Sequence, residues 1–132
     1  MELTISRAAI DEISRAAALS PDAEICGLLL GEGASVIEVR PCDNVAANAR
    51  ESFEIDPAAL IAAHRAARRG GPAPIGHYHS HPRGPATPSP RDAEAAEPGS
   101  YWLIAGAGEV RGWRARGDGG FDPVALSGHR NP

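Results

Sequence analysis

Lysine is missing from these 132 residues; all 13 basic side chains are arginine. Large core formers are scarce as well. Leu, Ile, Val and Phe fill 24 positions, against 25 for Ala alone, so any core is small and Ala-rich. So low a share borders on the composition of disordered chains. The net charge is only −4, however, and the apolar residues are bunched into short runs, which excludes disorder. No apolar run approaches the roughly 20 residues of a membrane span. Met1-Glu2-Leu3-Thr4 lacks the charged and apolar regions of a secretory signal. No basic stripe is present for nucleic acid; the small group Arg65, Arg68 and Arg69 falls at a predicted helix end, where cations are favoured. Cysteine is limited to Cys26 and Cys42, expected as reduced thiols. The expectation is a cytoplasmic chain with neither nucleic-acid nor membrane partner.

What is present reads as one α/β domain over residues 1–132, built on a mixed, mostly antiparallel β-sheet flanked by helices. Ile10, Ile13 and Ala17 recur at helical spacing over 6–19, with Ser6 as N-cap. Residues 24–31 form a short apolar run ended by Gly31, the pattern of a strand buried on both faces, and 35–40 pairs with it as a hairpin. Phe53-Glu54-Ile55 is a short third strand. Asp56-Pro57 opens a helix that runs to Arg69 and stops at Gly70-Gly71. A strand over 74–81, an irregular loop with four prolines in Pro82–Pro90 and a short helix over 90–96 follow. Two late strands, 101–105 and 109–115, flank the turn Gly106-Ala107-Gly108, and Val124–Leu126 offers a last strand.

The chemistry is concentrated in His77-Tyr78-His79-Ser80-His81-Pro82 and the later Ser89-Pro90-Arg91-Asp92. Residues two apart in a strand point the same way, so His79 and His81 project from one face, close enough to share a metal ion. Pro82 holds His81 extended, and the proline-dense loop returns the chain to Ser89 and Asp92. Two imidazoles and one carboxylate leave a fourth tetrahedral position for water, the arrangement of a catalytic zinc. A metal-bound water needs a base. Glu24, at the head of a buried strand where a carboxylate is otherwise unwelcome, is the candidate. Ser89-x-x-Asp92 is also a sound helix start, with Ser89 as N-cap and Pro90 at the first helical position; a capped helix end would fix the ligand.

Glu24, then His79-Ser80-His81-Pro82, Ser89 and Asp92 resemble the signature of the JAMM (MPN+) metalloproteases, and the resemblance extends over residues 24–105. It implies an MPN, cytidine-deaminase-like fold and one Zn²⁺ per chain held by His79, His81 and Asp92. Glu24 would be general base and acid, and Ser89 an oxyanion donor. The chain lacks the insertions with which eukaryotic members grip ubiquitin chains and is similar to the compact bacterial branch. The implied substrate is a ubiquitin-like or sulfur-carrier protein, cut after its Gly-Gly tail, with the tail binding extended by addition to a sheet edge beside the metal. Two other readings stand beside it: an inactive MPN-type scaffold, and a RadC-type protein, for whose usual preceding DNA-associated domain this chain has no room.

Other residues are given humbler expectations. Cys26 shares the strand parity of Glu24 but reads as a buried inert thiol, and Cys42 has no assigned partner. His64 in the second helix and His129 in the tail are not ligand candidates. Tyr101 and Trp102 are expected in the core. His77 shares the face of His79 and His81, yet lies about 13 Å along the strand from His81. It is therefore expected to be a packing residue and not a fourth ligand.

Overall fold

The computed structural model describes residues 1–128, so His129 lies outside the described residues. The elements are β1 (Glu2–Thr4), α1 (Arg7–Ala18), β2 (Cys26–Glu32), β3 (Ser35–Cys42), α2 (Pro57–Arg68), β4 (Ala73–Ser80), α3 (Pro90–Ala95), β5 (Tyr101–Gly106), β6 (Glu109–Ala115) and β7 (Phe121–Ser127). The helix starts follow their capping residues. Ser6 accepts from the Ala9 amide, and Asp56 from the Ala58 amide with Pro57 behind it; each such cap contributes about 1 kcal/mol. Arg65 and Arg68 sit in the last turn of α2, as expected of a cationic helix end.

The seven strands run β1-β3-β2-β4-β5-β6-β7 and close on themselves. The sheet is mixed: β4–β5, β1–β3 and β1–β7 are parallel, and the remaining pairs antiparallel. The expected sheet merely flanked by helices is corrected here to a closed barrel. The cause is β1, too short to announce itself by periodicity. It pairs Glu2, Leu3 and Thr4 with Ala125, Leu126 and Ser127 on one side and Thr4 with Ser35 on the other. β4 is an interior strand, paired with β2 and β5, so an extended tail cannot add to the strand that carries the histidines. The expected third strand at 53–55 is reduced to a single bridge, Asn44 to Ile55.

Two apolar layers lie on opposite sides of the sheet. Leu29, Tyr78 and Leu103 pack with Ile13 of α1, while Leu28 and Leu30 pack with Ala63 of α2. Six consecutive residues of β2, from Cys26 to Gly31, are buried, which bears out the two-sided strand. The proline-rich loop after β4 docks on the end of β5, where a Cβ on Gly106 would stand 2.6 Å from the Gly84 carbonyl oxygen. Trp113 completes that dock by donating its indole N–H to the Ala86 carbonyl at 3.0 Å.

Candidate metal centre

The end of β4 delivers two histidines to one point. His79 is its penultimate residue; His81 follows the last one but still donates its amide to the Ala105 carbonyl of β5 at 2.8 Å. Alternation along the strand then turns both rings to one side, and their Nε2 atoms lie 3.1 Å apart. Asp92 arrives from the first turn of α3. There Ser89 and Asp92 form a capping box, the Ser89 hydroxyl accepting from the Asp92 amide and the Ser89 amide donating to Asp92 Oδ2 at 2.9 Å. The Asp92 carboxylate lies 3.3 Å from His79 Nε2 and 3.2 Å from His81 Nε2.

These spacings fit a metal. A tetrahedral zinc with bonds of about 2.0–2.1 Å separates its ligand atoms by roughly 3.3–3.4 Å. The ring orientation fits as well: His81 Nδ1 donates to the Pro85 carbonyl at 2.9 Å, which turns Nε2 toward Asp92, where a metal would take the place of its proton. His79 is oriented differently. Its Nδ1 is buried without a hydrogen-bond partner among the described residues. Packing holds this ring instead, with Phe53 stacked on it at 4.3 Å between centroids and Trp102 edge-on at 5.5 Å.

Electrostatics point the same way. Burial opposes ionisation of Asp92, but its hydrogen bonds from His79 and His81 outweigh that and hold the carboxyl well below the usual range. Burial pushes the His79 imidazole down. It acts likewise on His81, where bonds to Asp92 and Pro85 reverse the direction and raise it. An ionised carboxylate and two imidazole nitrogens thus converge on a point suited to a cation.

Glu24 lies close to this triad and outside it. One carboxylate oxygen and one ring nitrogen from each of His79 and His81 lie within 4.8 Å of one another, a looser set than the one with Asp92. The residue is only 7% exposed, and burial lifts its pKa to about 7. It is not in a strand, since β2 begins at Cys26. Its backbone is fixed instead by a neighbouring loop and the end of β4: the Glu24 amide donates to the Ala49 carbonyl at 2.7 Å, and the Ile25 amide to the Ser80 hydroxyl at 2.9 Å.

The remaining expectations sort readily. Tyr101 and Trp102 are buried, as core residues should be. His77 packs against Trp102 and Phe53, at 4.2 and 5.3 Å between centroids, in the packing role expected of it. Cys26 faces His79 across the β2–β4 ladder but is buried, with its thiol pushed up to about 12 by desolvation. Both cysteines are free. His64 is not brought to the triad; it lines a cavity of about 760 Å³ shared with Leu28, Ile55, Leu60, His77 and Tyr101. On β4 the cavity is lined by residues up to His77, and neither Glu24 nor the triad lines it. The sequence reading gave no site role to Phe53, Ser80 or Pro85. Only Ser80 carried a local signal, as the small residue between the two histidines.

Residues 6–116 match the profile of the prokaryotic homologs of the JAB domain. A desampylase of Haloferax volcanii is 40% identical over 91 residues, which cover 67% of this chain and 66% of that protein. A protein of Thermus thermophilus, named a probable TtuB-protein conjugate cleaving protease, is 40% identical over 86 residues, or 64% of this chain and 58% of the relative. The chain therefore spans less than two thirds of the length of these curated relatives. Among solved structures, a protein of Desulfitobacterium hafniense superposes with a TM-score of 0.81 at 27% identity, covering 98% of this chain and 94% of that one.

Proposed function

This chain belongs to the family of prokaryotic homologs of the JAB domain, and from that membership and the site geometry we propose that it is a zinc-dependent peptidase or isopeptidase. Its substrate is a ubiquitin-like or sulfur-carrier protein, cleaved after the Gly-Gly tail. The observation that carries the reading is the meeting of His79, His81 and Asp92 within 3.1–3.3 Å, with a buried carboxylate, Glu24, beside them. The names of the Haloferax and Thermus relatives support the substrate class.

His79, His81 and Asp92 hold the metal in this reading. When bound, zinc supplies the Lewis acidity that acidifies water and polarises a carbonyl. Glu24 takes the proton of the attacking water and passes it to the leaving amine. A carboxyl lifted to about 7 by burial is matched to both halves of that task near neutrality. Ser89 orients Asp92 through its amide and offers its hydroxyl proton to the developing oxyanion. The extended tail does not add to β4, which is paired on both sides. An inactive scaffold would have no need of ligands held at these spacings, so we set that alternative aside.

The test is incubation of the zinc-loaded protein with sulfur-carrier fusions extended past Gly-Gly, read by intact mass. Release of the carrier ending in Gly-Gly is expected. Intact fusions with fully loaded protein would refute the reading.

A further inference from the structure

Asn44 carries no role so far, yet its side chain uses four hydrogen bonds. The amide nitrogen donates to the Glu24 carbonyl at 2.9 Å and to the Ser52 carbonyl at 3.0 Å. Its oxygen accepts from the Ala46 amide at 3.0 Å and the Glu54 amide at 3.1 Å. An asparagine that merely shapes its own turn needs only the bond to Ala46. The other three reach across the chain, to residues 8, 10 and 20 positions away.

The reach has a purpose in the geometry. Because β2 begins only at Cys26, the Glu24 carbonyl has no strand partner in the ladder, and Asn44 takes that place. Ser52 and Glu54 bracket Phe53, whose ring stacks on His79. The bond from the Val45 amide to the Glu54 carbonyl, 2.9 Å, closes the same segment. One carboxamide therefore ties the backbone of the buried carboxylate to the segment bearing the ring over a histidine of the triad. We propose that Asn44 is a positioning residue, clamping Glu24 and Phe53 in register with His79. The kinetic part of this inference rests on Glu24 being the general base; the clamp itself does not.

Two variants separate the halves of the clamp. Asn44→Asp keeps the acceptor for Ala46 and Glu54 and loses both donors, while Asn44→Ala loses everything. In zinc-loaded protein, amide hydrogen exchange at Glu24 is expected to speed up at least tenfold in both variants, with Tyr78 and His79 in β4 unchanged. Turnover is expected to fall 10- to 100-fold in kcat with KM within twofold and zinc content intact. In a Glu24→Gln background the same substitutions should cost nothing further, because groups that act as one unit are not additive. A merely structural defect would still lower activity there. Unchanged Glu24 exchange in a folded Asn44→Asp protein overturns the clamp. If neither variant folds, the wild type decides: slow exchange of the Asn44 side-chain amide protons supports the clamp, and exchange at the rate of a free amide overturns it. A wild type that cleaves no fusion while Glu24 stays protected would overturn the proposed function and leave the clamp standing.

Discussion

His81 donates its Nδ1 proton to the carbonyl of Pro85 at 2.9 Å, and that bond decides which nitrogen faces Asp92. The proline-dense loop is therefore more than a connection. Held by Gly106 of β5 and Trp113 of β6, it fixes the orientation of the His81 ring as well as returning the chain to Ser89.

From this arrangement the protein is expected to bind about one Zn²⁺ per chain. His79→Ala or Asp92→Ala should each release it, because a site with three protein ligands has none to spare. Elemental analysis of the purified variants checks the assignment. Full zinc occupancy in the His79→Ala/Asp92→Ala double variant would show that the metal lies elsewhere.

Glu24→Gln should keep zinc and lose hydrolysis. Glutamine preserves shape but cannot take a proton, and a positioned acid–base group is typically worth about 10²–10⁴ in rate. Steady-state kinetics beside metal analysis make the test; turnover near the wild-type rate would remove Glu24 from the mechanism.

The chelated protein should report on the same carboxyl through its stability. Burial raises the folded pKa of Glu24 from 4.5 to about 7, so between those values the folded state binds more protons than the unfolded one. The sign follows: the group's contribution to stability is fully present below pH 4.5 and is lost as pH rises through about 7. Glu24→Gln, which cannot ionise, should therefore melt several °C above the chelated wild type at pH 8. The gap, at most about 3 kcal/mol, should nearly vanish at pH 5. Titrating groups that do not interact with Glu24 are common to both proteins and cancel in the difference, whereas His81, which its charge raises, contributes to it. A gap that is equal at the two pH values would contradict the buried, uphill ionisation.

How far the sequence reaches into this site depends on the range of each interaction. His79 and His81 were legible because strand alternation acts over two residues, and Ser89 with Asp92 because a helix start has a local grammar. Phe53 and Asn44 were not. Their meaning lies in contacts with His79 and Glu24, brought near by the fold and distant along the chain. Barrel closure was hidden for a related reason: three residues of β1 give no period to read, and their partners include Ser35 and the 125–127 segment. Glu24 was recognised as a buried carboxylate but assigned to a strand head; loop bonds from Ala49 and Asn44 support it instead.

The last prediction concerns His77, which shares the face of the triad's histidines without joining them. Its ring centroid is 6.4 Å from that of His79, and the ring lies against Trp102 and Phe53. Burial pushes its pKa down to about 3, so the ring is neutral at any physiological pH. Its Nδ1 is buried without a hydrogen-bond partner among the described residues, and such an atom costs about 1–3 kcal/mol in desolvation. His77→Phe removes that cost and keeps an aromatic ring against Trp102. The variant should retain its zinc and melt at or above the wild-type temperature. His77→Ala discards the ring contacts and should lose roughly 2–4 kcal/mol, again with zinc retained. Calorimetry beside metal analysis distinguishes the outcomes. Loss of zinc from the phenylalanine variant would mean that this imidazole reaches the metal after all.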